Sequence, residues 1–194
     1  GAIVVEATDG PDGVLSSNLH SDGSLTEILT IRGAGTESVF SEDVPATVDM
    51  EGREVFRNAV TRMGEGALVA IDNAGLELDD VDVLISHQAN IRIIDATARR
   101  LNIDPDSVYT NIHAYGNTSA ASIPIALSEA LDQGAIAPGD IVAMVAFGGG
   151  LTWGATVVRW GERTSRLRRV DHGVPGTDKT GLELLEDRTQ GLGL

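Results

Sequence analysis

The 194 residues are 42% hydrophobic, carry a formal net charge of −15, and include 23 glycines, 6 prolines and no cysteine. The apolar content suffices for one sizeable core, while the missing thiol removes disulfides, Cys-ligated zinc and a cysteine nucleophile from this chain. The acidic balance excludes general nucleic-acid binding, because a phosphate backbone would be repelled. No apolar run reaches the ~20 residues of a membrane-crossing helix, and no basic segment precedes a hydrophobic one at the N-terminus; a cytoplasmic protein without membrane attachment is expected.

The chain opens on a strand-like run, "GAIVVEA", followed by the turn "TDGPDG" and a second alternating stretch, "GVLSSNLHSDG". Residues 1–20 are therefore expected to form a strand hairpin. "TDGPDG" is too short for a calcium loop and lacks the later glutamate. Residues 21–50 are rich in Gly, Ser, Thr and acidic side chains and hold no sustained period, which predicts a long loop excursion. From Glu51 the pattern turns helical, with Val55, Ala59, Val60, Met63, Ala67, Ala70 and Ile71 about one turn apart, until Gly75 supplies a stop.

"VDVLI" reads as a buried strand ending in the polar cluster "SHQAN". The helix over 90–101 places Ile91, Ile94, Ala98 and Leu101 on one face and Arg92, Asp95 and Arg99 on the other, with Arg100 flanking them. "SVYTNI" reads as a strand, "NTSAASIPIALSEALDQG" as a helix closed by Gly134, "DIVAMVAF" as a strand, and "LTWGATVVRW", after the glycines, as a last antiparallel strand. Residues 51–160 thus alternate helix and strand, which predicts an α/β fold with a largely parallel sheet covered by helices. Residues 161–194, rich in Gly, Asp and Thr, are expected to be a flexible extension in which "LRRV" or "GLELLE" forms at most a short helix.

In a parallel sheet the loops after successive strands share one edge, where ligands bind. His87, Asn117 and the "FGGG" turn all fall at such exits. A neutral imidazole donates one N–H and a carboxamide two, so the pair suits negative charge developing on a carbonyl oxygen. Asn117 also suits a helix N-cap, a role compatible with donation from its amide. His20 and His113 have no carboxylates at metal-ligand spacing, and His172 lies in the extension, so no metal or other cofactor is indicated. Arg92, Arg99 and Arg100, with Arg57 from the preceding helix, form a basic face on an acidic protein; it is either solvated or a docking site for an acidic partner.

"HQANIRIIDATARRL", "YGNTSAASIP" and "FGGGLTWGATVVRW" closely resemble the second half of β-ketoacyl-acyl-carrier-protein synthase III, a condensing enzyme of the thiolase superfamily. The resemblance runs over residues 1 to 160 and implies one half of a duplicated thiolase fold, a mixed sheet with covering helices. It implies an acyltransferase of fatty acid biosynthesis that joins a short acyl-CoA to malonyl-acyl-carrier protein by decarboxylative Claisen condensation, and works as a homodimer. By the same resemblance His87 and Asn117 hold the malonyl thioester oxygen, Phe147 borders the thioester, and the Gly149 N–H helps to hold the acyl oxyanion. Asn90 lines the pantetheine channel, and Arg57, Arg92, Arg99 and Arg100 receive the carrier protein. The family's nucleophilic cysteine belongs to the first half of the fold, so a missing N-terminal half, in cis or in trans, is the expected partner, and this chain alone is not expected to condense. A non-catalytic thiolase-fold scaffold, a malonyl-thioester decarboxylase and a polyketide-type relative use the same motifs and stay open.

Overall fold

The computed structural model describes residues 1–33 and 47–163. In chain order it contains β1 (Gly13–Ser21), a 3-10 helix (Gly23–Ile28), β2 (Leu29–Arg32), β3 (Thr47–Met50), α1 (Gly52–Asn73), β4 (Val83–Ser86), α2 (Ile91–Leu101), α3 (Ile112–Tyr115), α4 (Ser122–Asp132), β5 (Ile141–Gly148) and β6 (Thr152–Arg159), with further short 3-10 turns between them. Strands β1, β6, β5 and β4 form the main sheet in that order; only the β4–β5 pairing is parallel. β2 and β3 make a separate antiparallel pair.

Every residue of β4 is buried, as expected of a parallel strand covered on both faces. Leu84 faces the cluster built on α1, whereas Val83 and Ile85 pack with Ala126, Leu127 and Ala130 of α4. β5 alternates in the same way: Ala143, Val145 and Phe147 join the α1 side and Val142 the α4 side. The result is a helix, sheet, helix layering in which each fully buried Leu, Ile or Val stabilises by roughly 1.5–3 kcal/mol. α1 buries Val55, Ala59, Met63, Ala67, Ala70 and Ile71 against the sheet. α2 crosses α1 at Gly64, where an added Cβ would stand 2.7 Å from Arg100 Cδ. α2 begins at an Asn90 cap, whose side chain accepts from the Arg92 N–H, and ends on Asn102 at φ 54, a left-handed conformation that Asn tolerates.

Several expectations are corrected. Residues 1–8 carry no regular structure and Ile3, Val4 and Val5 are exposed, so the opening hairpin over residues 1–20 does not form; β1 starts at Gly13 and pairs with β6. The excursion over 21–50 is partly ordered into the 3-10 helix and the β2–β3 ladder, where Thr47 opposes Arg32; residues 34–46 lie outside the described part. The expected strand "SVYTNI" shrinks to one bridge, Val108 to Leu84, because a 3-10 turn at Pro105–Ser107 leads into it and α3 follows at once. The last long helix begins at Ser122, after a 3-10 turn over Ser119–Ala121, rather than at Asn117. On α2, Ile91 is exposed and Thr97 takes its place on the buried face. Of the expected C-terminal extension, residues 164–194, with "LRRV", "GLELLE" and His172, lie outside the described residues.

Candidate active site

The parallel ladder delivers the histidine. The His87 N–H donates to Val145 O at 2.7 Å, continuing the β4–β5 pairing one residue past the strand and fixing where the side chain departs. His87 Nδ1 lies 2.6 Å from Ser122 Oγ at the start of α4. Burial pushes the imidazole below its ordinary pKa, which keeps it neutral at pH 7.

The neighbouring Gln88 is turned inward and is 1% exposed. Its Nε2 donates to Ser86 O at 2.8 Å, and its Oε1 accepts from the N–H groups of Asn111 at 3.0 Å and Ile112 at 3.2 Å. Asn111 in turn donates to Glu129 at 2.9 Å, and Tyr115 reaches the other carboxylate oxygen at 3.1 Å. The hydrogen bond from Asn111, then those from Tyr115 and Tyr109, hold the Glu129 carboxyl below its ordinary pKa. Tyr109 is pushed up to about 12, by burial first and then by the Glu129 charge. This network ties the exit of β4 to the segment leading to Asn117. Asn117 itself accepts the Ser119 N–H at 2.9 Å through Oδ1, a local turn rather than a helix cap, which leaves the two N–H groups on Nδ2 as its donors.

His87, Asn117, Asn90, Arg92 and Phe147 line one cavity of about 700 Å³. Its apolar walls come from Leu29, Val48 and Met50 of the small sheet and from Val55, Phe56, Ala59 and Met63 on α1. Its charged lining residues are Arg53 and Arg92, with no carboxylate among them. The Arg92 guanidinium lies 6.0 Å from the Phe56 ring centre, within cation–π range. His87, Phe147 and Gly148 also border a second cavity of about 720 Å³, with Leu19, Ser122, Ile123, Met144 and Trp153. His87 therefore borders both spaces.

Other candidate residues lie apart from this cavity's lining. Gly149 sits against β2, where an added Cβ would come within 3.1 Å of Leu29 O. Arg57 pairs with Glu54 at 2.5 Å, and Arg100 folds over Gly64 and reaches Glu65 at 3.7 Å. Arg99 is exposed on the outer face of α2. The sequence reading passed over Ser122, Gln88, Arg53 and Phe56. Gln88 sits inside "SHQAN" and Ser122 inside "YGNTSAASIP", and Phe56 and Arg57 both lie one helical turn beyond Arg53 at the start of α1. Among the described residues no group of three or more His, Cys, Asp or Glu is placed to hold a metal ion, and no helix is long and apolar enough to cross a membrane.

Residues 71–160, which carry both exits and the glycine turn, match the family profile described as 3-oxoacyl-[acyl-carrier-protein (ACP)] synthase III C terminal. A curated β-ketoacyl-[acyl-carrier-protein] synthase III from Desulfitobacterium hafniense is 50% identical over 167 residues, covering 84% of this chain and 50% of the relative. The chain matches the C-terminal portion of 3-oxoacyl-acyl-carrier-protein synthase III. It spans about half the length of the curated synthase III relatives it matches. The synthase III crystal structure from Thermus thermophilus superposes with a TM-score of 0.75 at 42% identity, over 82% of this chain and 50% of that one. The synthase III from Aquifex aeolicus gives 0.72 at 42% identity, over 79% and 46%. The fold is thus the thiolase-like α/β architecture of this family, and the match is to its C-terminal portion.

Proposed function

We propose that this chain supplies the enolate-stabilising half of a β-ketoacyl-acyl-carrier-protein synthase III, an acyltransferase of fatty acid biosynthesis. The observation that carries the reading is that His87 and Asn117, from separate loops, line one cavity whose charged residues are both arginines. The arginine side chains at the cavity suit a phosphate-bearing thioester arm, and Arg92 and Arg99 on the exposed side of α2 suit an acidic carrier protein.

In this reading a malonyl thioester enters with its carbonyl oxygen toward His87 and Asn117. The bond from the methylene carbon to the carboxylate breaks, carbon dioxide leaves, and the electron pair passes into an enolate whose oxygen accepts hydrogen bonds from both side chains. The enolate carbon then attacks an acyl thioester, forming the new carbon–carbon bond and expelling thiolate. A neutral His87 suits this role, because it donates one hydrogen bond without needing to lose a proton. The 194 residues contain no cysteine, so the acyl-bearing thiol is assigned to a separate cysteine-bearing half.

The test joins this chain to such a half and follows the two partial reactions separately. His87→Ala and Asn117→Ala should each slow malonyl decarboxylation by roughly a hundredfold or more, the scale of losing one preorganised donor. Acyl transfer from acyl-CoA to the cysteine should suffer much less, and the double variant should fall well short of the product of the two effects. Intact decarboxylation with abolished acylation would refute the assignment and recast His87 as a base for the thiol.

A further inference from the structure

A neutral imidazole has one donor nitrogen and one acceptor, and its tautomer is set by what the nitrogen turned away from substrate is bonded to. For His87 that partner is Ser122. The hydroxyl oxygen lies 2.6 Å from Nδ1, and the same oxygen accepts the Gln88 backbone N–H at 3.3 Å. Among the described residues these are the partners of that hydroxyl, and Ser122 is only 2% exposed. The Gln88 amide can only donate. Of the two partners, Nδ1 alone can take the hydroxyl hydrogen. In the opposite arrangement, with N–H on Nδ1, the oxygen would receive two hydrogens while its own had no acceptor in a buried place. Ser122 is also the first residue of α4, an 11-residue helix, and the positive end of a helix dipole disfavours an imidazolium beside it.

We infer that Ser122 is a positioning residue: its hydroxyl donates to His87 Nδ1, locks the ring in the Nε2–H tautomer and leaves that N–H as the donor toward the cavity shared with Asn117. The catalytic consequence rests on the enolate-stabilising role proposed above, but the tautomer does not.

The test is 15N NMR of the histidine-labelled chain at neutral pH, with the His87 signals identified by their loss in His87→Ala. The expected result is an unprotonated Nδ1 and a protonated Nε2, with this tautomer in excess by on the order of tenfold or more. Ser122→Ala should reduce the excess severalfold, and Ser122→Thr, which keeps the hydroxyl, should retain it. Protonated Nδ1 in the unaltered chain would overturn the inference whether or not any variant folds, and so would a tautomer ratio unmoved by Ser122→Ala. In the preparation carrying a cysteine-bearing half, Ser122→Ala should lower kcat for malonyl decarboxylation about tenfold with KM little changed, since it misdirects a donor rather than removing a binding contact. If the tautomer is as inferred yet His87→Ala leaves decarboxylation intact, the enolate reading fails alone. If His87→Ala is damaging and Nδ1 carries the proton, the Ser122 assignment fails alone.

Discussion

Gln88→Met replaces a buried carboxamide with an unbranched chain of nearly the same length, so the loss is confined to hydrogen bonds and little cavity is opened. Three partners are orphaned: Ser86 O, the Asn111 N–H and the Ile112 N–H. Ser86 is 0% exposed and Asn111 3%, so neither can turn to water, whereas Ile112 is only partly buried. At about 1–3 kcal/mol for each buried group left without a partner, the two enclosed ones alone cost about 2–6 kcal/mol. That is a large share of the ~5–15 kcal/mol by which domains are stable. Urea unfolding should show the loss as a lower midpoint at unchanged slope. Amide exchange should quicken selectively at residues 111 and 112, whose acceptor has gone. A loss below about 1 kcal/mol with both amides still protected would show that Gln88 does not hold the two loops together.

Leu84→Ala, at a site 0% exposed between the sheet and α1, should cost about 3 kcal/mol in the same unfolding assay, whereas Leu68→Ala, at 47% exposed on α1, should stay within about 0.5 kcal/mol. Glu129 has its pKa depressed first by Asn111 and then by the two tyrosines, so its contribution is complete above the unfolded carboxylate value and is lost as pH falls through the folded one. Glu129→Gln should therefore be less stable near neutrality and lose less on acidification from about pH 6 to about pH 3; an unaltered slope would contradict the network. Arg53→Glu combined with Arg92→Glu should weaken binding of an acidic carrier protein or a phosphate-bearing thioester and reduce its salt dependence, as read by calorimetry at two ionic strengths.

The parts of the fold legible in the sequence were those where a long period meets a clear stop. α1, β4, α2, β5 and β6 follow directly from apolar spacing and from Gly and Asn at their ends. Residues 1–7 misled because an apolar run signals a strand only if a partner exists, and β6 had already engaged β1 from Gly13 onward. "SVYTNI" misled for the converse reason: it lies alongside β4 but makes one bridge before the chain turns into α3. For the site, His87 and Asn117 do line one cavity as the expected topology implied, although Asn117 is delivered by the turn after α3 and not by a strand exit. The turn of Gln88 into the interior, the approach of Ser122 to Nδ1 and the diversion of Arg100 onto Gly64 depend on tertiary packing, and a linear pattern of polar residues does not encode which way each one faces.

The strand order β1, β6, β5, β4 also has a meaning in time. Among the described strands of the main sheet, the earliest in sequence, Gly13–Ser21, is hydrogen-bonded to the one furthest along the chain, Thr152–Arg159, so its partner is translated some 130 residues later. At ~5–20 residues per second, β1 waits on the order of 10 seconds with its ladder groups unpaired. β4 and β5 cannot complete the sheet for it, because β6 lies between. The second cavity is lined by both strands, through Leu19 of β1 and Trp153 of β6, so completion of its wall and pairing of β1 are the same event in synthesis.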